Sequence, residues 1–125
     1  MPIVQIHAMP PSDRATIPKM LKSVSVNAAA ALAVDASHVW SLFCEVKPGE
    51  FVEGDVAADH HGPTTHPPIV VVRALTGRTR QMREATLRAI AGSVAEGLGI
   101  PATCVFVHWL EMQHADVWMH GKMAG

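Results

Sequence analysis

The feature that most constrains this chain is that it repeats. Pro2-Ile3-Val4 returns as Pro68-Ile69-Val70, an offset of 66 positions. Without a gap, the same offset pairs Ala8 with Ala74, Arg14 with Arg80, Leu21 with Leu87, Ala29 with Ala95, Leu32 with Leu98, Val39 with Val105 and Glu45 with Glu111. Conservative pairs fill the intervals: Val24 with Ile90, Val34 with Ile100, Trp40 with Phe106. A hydrophobic pattern carried by one offset across half a chain marks one structural unit used twice. The 125 residues are therefore read as a single domain. It comprises two pseudo-repeats, 1–59 and 68–125, joined by a linker at 60–67 that is rich in turn formers and histidine.

Each repeat has the same grammar. A short apolar run opens it, Ile3–Ala8 and then Ile69–Leu75, and its length and β-branched content predict a strand. Breakers follow, at Met9-Pro10-Pro11-Ser12 and at Thr76-Gly77. A helical stripe comes next: Ile17, Met20, Leu21, Val24, Ala28, Ala31 and Leu32 in the first repeat. Leu87, Ile90, Ala91, Val94 and Leu98 form it in the second. Pro18 fits only in a first turn, with Thr16 near the cap, and Gly97-Leu98-Gly99-Ile100-Pro101 stops the second helix. Second strands are expected at His38–Val46 and Cys104–Met112, then short ones at Phe51-Val52 and Val117–Met119. Each unit thus reads β-α-β-β. A strand, a crossover helix and a second strand give a parallel pair. The fold class is α+β, a mixed four-stranded sheet with two helices on one face.

Composition excludes several functions. Ten Lys+Arg stand against eleven Asp+Glu, a formal net charge of -1, so no electrostatic case exists for nucleic acid or an anionic membrane. No apolar run has the length a membrane-spanning helix needs. The start, MPIVQIHAMP, lacks the basic segment and cleavage site of a secretory signal, so a cytoplasmic protein is expected. Cys44 and Cys104, lacking any CxxC spacing, read as two reduced core cysteines. His60, His61 and His66 are irregularly spaced in a turn-rich segment, not as a tetrahedral zinc site requires. No metal and no cofactor are expected.

A proline directly after Met1, opening a tandem β-α-β-β chain, resembles the tautomerase superfamily, in particular its fused, two-unit branch. PIVQIH at 2–7 looks like the start of 4-oxalocrotonate tautomerase. Pro68-Ile69, Gly77-Arg78-Thr79, Pro101 and Glu111-Met112 are similar to the same enzyme, and Pro48-Gly49-Glu50-Phe51-Val52 to the first hairpin of malonate semialdehyde decarboxylase. The resemblance implies a homotrimer around a barrel of sheets, a small carboxylic acid as substrate, and an active site at each mature N-terminus. Pro2, freed by loss of Met1, is then a secondary amine able to move protons at carbon beside a carbonyl. Pro68, an acylated internal residue, cannot do this.

Residue by residue, the resemblance assigns Arg78 to carboxylate or enolate binding, with Arg73 and Arg80 as neighbouring candidates. Trp40 stands where 4-oxalocrotonate tautomerase has a second arginine and becomes a pocket wall, or else a core or interface tryptophan. Phe51 matches a hydrophobic site residue. His38 takes the place of the decarboxylase's catalytic aspartate, and His108 that of a tyrosine in cis-3-chloroacrylic acid dehalogenase. Each also has an ordinary packing role open to it. Trp109 and Trp118 read as packing or interface residues, Trp118 with a place at the mouth of the site. Three functions follow: a tautomerase acting on a 2-keto or enol acid, a hydratase or decarboxylase of a three-carbon acid, and a non-catalytic binding trimer.

Overall fold

A computed structural model describes residues 1–125. The first half gives β1 (Ile3–Ala8), α1 (Thr16–Leu32), β2 (Trp40–Glu45) and a hairpin of β3 (Val52–Glu53) and β4 (Val56–Ala57). The second gives β5 (Ile69–Leu75), α2 (Arg80–Leu98), β6 (Phe106–Met112) and a hairpin of β7 (Trp118–Met119) and β8 (Lys122–Met123). The main sheet has the order β2-β1-β5-β6. Each crossover yields a parallel pair, β1 with β2 and β5 with β6. The two halves meet antiparallel through β1 and β5, with Val4 opposite Val72 and Ile6 opposite Val70.

Strand alternation puts the core on one face. Val4, Ile6 and Ala8 of β1 and Val70, Val72 and Ala74 of β5 are fully buried. They pack on Met20, Val24 and Ala28 of α1 and on Ile90 and Val94 of α2. The helices use different starts. Thr79 caps α2, accepting the Met82 N–H at 3.2 Å. At α1, Thr16 is the first helical residue and does not cap; Asp13 instead accepts the Ala15 N–H at 3.0 Å. Pro18 lies third in that helix, where no intrahelical bond is lost. Gly99, at φ +70°, ends α2.

Three sequence expectations change. Both second strands begin two residues late, because short 3₁₀ turns at Ala36–His38 and Ala102–Cys104 come first. The short strands are two-residue hairpin arms, and Phe51 precedes the first arm. Cys44 and Cys104 are free but only half-buried, not core residues.

The sheet's other face has no layer on it. The register aligns Trp40, Ile3, Arg73 and Leu110 in one row across it, and Leu42, Gln5, Val71 and His108 in the next. Trp40, Leu42, Phe106 and Leu110 stay about half exposed there.

Candidate active site

Pro2 enters the sheet at the start of β1, where its carbonyl accepts the Trp40 N–H at 3.0 Å. The residue is fully buried. Arg78 comes to the same end from the β5–α2 connection. Gly77, at φ +121°, lets the chain turn there, a conformation that side chains rarely adopt. Arg78 sits half-buried just before the Thr79 cap. One of its guanidinium nitrogens donates to the Leu75 carbonyl at 3.2 Å. Its own carbonyl accepts from Arg83 at 2.8 Å, so the loop is tied on both sides.

Around these two residues lies a cavity of about 150 Å³, lined by Met1, Pro2, Val34, His38, Arg78, Met119 and His120. The Met1 amine is held below the ordinary α-amine range, first by burial and second by the Arg78 charge. The cavity therefore combines a destabilised ammonium, a guanidinium and two imidazoles. That set can bind a carboxylate and move protons beside it.

Larger hollows do not combine such groups. One of about 220 Å³ between α1 and α2 is lined by Thr16, Lys19, Met20, Ser23, Ser93, Glu96 and Gly97. It offers one opposite pair of ions and no proton-transfer group near neutrality, so chemistry rather than volume selects the Pro2 end.

The pseudo-symmetric end differs in each group. Pro68 makes the same backbone bond, accepting the Phe106 N–H at 3.1 Å, yet its nitrogen is an amide. Ser12 is the counterpart of Arg78 and Cys104 that of His38. The linker is pinned to that end. His61 accepts the Met9 N–H at 2.9 Å and pairs with the His66 carbonyl at 2.9 Å; His66 reaches the Val56 carbonyl at 2.8 Å. These ring nitrogens of His61 and His66 serve backbone groups.

Of the residues singled out in the sequence, Pro2, Arg78 and His38 meet at the cavity. Trp40 and Arg73 flank Ile3 on the open sheet face, and His108 lies one row further on. Arg80 is exposed and paired with Glu84 at 3.1 Å. Phe51 packs edge-on against His66, ring centres 5.0 Å apart, away from the cavity of its own chain. Trp118 is largely exposed, and its neighbours Met119 and His120 reach the cavity instead. Trp109 packs against the core, its indole N–H without a partner. The sequence reading missed His120, which offers no motif; the one available signal is its counterpart at the 66-residue offset, Gly54.

No family model matches the sequence, and no curated protein matches it. Solved structures do match the fold. The chain is similar to Pt0534 inactivated by 2-oxo-3-pentynoate, at 22% identity and a TM-score of 0.84, over 97% of this chain and 94% of that one. It is similar to a native fused 4-OT at 17% identity and a TM-score of 0.85, over 98% and 95%. A member of the cis-3-chloroacrylic acid dehalogenase family matches at 19% identity and a TM-score of 0.75, over 97% and 82%. At these identities the likeness is one of fold. The chain has the two-unit architecture that the sequence resemblance implied.

Proposed function

We propose that this chain is a tautomerase of a small 2-keto or enol carboxylic acid, working through Pro2 after loss of Met1. One observation carries the reading: Pro2 and Arg78 line one small cavity, in which the Met1 amine is pushed toward its neutral form. With Met1 gone, the free nitrogen belongs to the buried Pro2, and burial and the Arg78 charge act on it in the same sense. A neutral secondary amine near pH 7 takes a proton from carbon next to a carbonyl and returns it elsewhere. Arg78 holds the carboxylate or the enolate oxygen. The proposed assembly is a homotrimer, in keeping with the uncovered apolar sheet face and with fused 4-OT relatives of the same fold that form trimers.

The presence of His38 on the cavity wall favours a second reading, hydration or decarboxylation of a three-carbon acid, with water placed by the imidazole.

The test is enol–keto conversion of phenylenolpyruvate by protein whose intact mass shows Met1 removed. Pro2→Ala is expected to lower kcat by about 10²–10⁴-fold. Equal rates in both proteins would sink proline-based catalysis.

A further inference from the structure

Enol–keto conversion moves two protons, one at carbon and one at oxygen. Pro2 supplies one group for this. Arg78 supplies none, since a guanidinium keeps its protons at any neutral pH. The titratable side chains left on the cavity wall are His38 and His120.

His120 is set apart by its backbone. It sits at φ +53°, in the left-handed region, and Gly121 follows at φ +78°. A two-residue hairpin turn of this kind favours Asn-Gly, Asp-Gly or Gly-Gly. The first repeat has a different turn, in which only the first of the two residues is left-handed. There the same place, 66 positions earlier, is Gly54 at φ +65°. The flanking arms match in register, Val52 opposite Ala57 and Trp118 opposite Met123. So the second hairpin holds an imidazole in the left-handed region, and its turn is the one that borders the Pro2 cavity. A strained, non-glycine residue at the wall of a site is a marker of function.

We propose that His120 is a catalytic residue, the proton-exchanging group at the substrate oxygen, while Pro2 works at carbon; this rests on the Pro2 reading above. In the enolising direction the neutral Pro2 amine takes the proton from the carbon beside the carbonyl. The electron pair of that C–H bond becomes the C=C bond, and the carbonyl π pair moves to oxygen. That oxygen takes a proton from the His120 imidazolium. Pro2 ends as ammonium and His120 as neutral imidazole, and proton exchange with water resets both. Ketonisation runs the same transfers backward.

The experiment follows phenylenolpyruvate ketonisation by the Met1-free protein beside Pro2→Ala, His120→Gly and His120→Asn. Glycine takes up this backbone freely, so His120→Gly is expected to fold, with unchanged circular dichroism. Its kcat should fall about 100-fold, the usual scale for a lost acid–base group, with KM within about threefold. Asn tolerates the same conformation and forms hydrogen bonds without transferring the proton; His120→Asn should match His120→Gly. Wild-type turnover by His120→Gly, with Pro2→Ala inactive, would overturn the role of His120 and leave that of Pro2. Wild-type kcat in His120→Asn would also overturn it, leaving only a hydrogen bond. Turnover that is absent in the parent, or equal in Pro2→Ala, would remove the proline reading and this one together.

Discussion

Arg78 has two effects on the terminal amine's site, and they separate by pH. On the proposed reading it offers a carboxylate contact, and its charge helps hold the pKa of the Met1 amine down. Arg78→Ala removes both. If the causes that act on the Met1 amine act alike on that of Pro2, its pKa then rises only in part, burial being the larger of the two. In the enolising direction the neutral amine is the proposed active form, so there the rise of activity with pH moves to higher pH. We expect kcat/KM at pH 7 to fall about 10²-fold or more, the scale of a lost charge-stabilising donor, and pH–rate profiles of both proteins check it. His61 makes a different prediction. Burial is the main cause holding its pKa below the usual 6.5. Below that pH the unfolded imidazole takes up a proton that the folded one resists, so stability falls with falling pH. His61→Ala leaves the buried Met9 N–H and the His66 carbonyl unpaired, a loss of about 1–3 kcal/mol in urea titrations near pH 8. The gap to the parent should narrow toward pH 5. Pro2 and Arg78 stand out as candidates in the sequence because a proline after Met1 and a Gly-Arg loop are local signals, and the fold brings both to one cavity. His120 does not stand out, because only the folded chain brings residues 2, 78 and 120 to one cavity.

At the scale of elements, two glycines of α2 show packing and propensity pulling apart. A Cβ at Gly97 would stand 2.5 Å from the Met20 Cγ and 2.6 Å from its Cβ, where α1 crosses. The stem of Met20 cannot yield as its tip could. Gly97→Ala is therefore expected to destabilise by about 1–3 kcal/mol despite alanine's better helix propensity. Gly92 has nothing within 4 Å of such a Cβ. There only propensity acts, and Gly92→Ala should stabilise by about 0.5–1 kcal/mol. Chemical denaturation of the two variants against the parent reads both signs. The same contrast explains what the sequence revealed. Ile3–Ala8 and Ile69–Leu75 are strands as expected, because alternate residues meet the helices and local pattern suffices. The starts of β2 and β6 were misread by two residues. Val39 and Val105 extend an apolar run, yet each N–H closes a 3₁₀ turn, to Ala36 and Ala102, instead of a ladder.

Across the whole molecule, the uncovered sheet face and the position of Phe51 belong to one question. Phe51 stands against His61 and His66, apart from the cavity around Pro2. If it shapes a substrate pocket, that pocket lies in another copy of the chain. The face that would bring copies together carries Trp40, Leu42, Phe106 and Leu110, between 43% and 55% exposed. Sheets bury both faces when one is this apolar. Leu42→Asp with Phe106→Asp sets two carboxylates on that face and leaves the helix-side core untouched. Sedimentation should then shift from three chains to one while circular dichroism is retained. The double variant also serves as one arm of a thermodynamic cycle. In the assembled protein, Phe51→Ala is expected to lower kcat/KM by about tenfold, on the scale of a lost apolar wall. If Phe51 reaches the proline of another copy, the same change should do nothing in the dissociated background. Coupling of that kind, read from four proteins, reports a contact between chains. Equal Phe51→Ala effects in both backgrounds would place its influence within one chain, through the histidines it packs on.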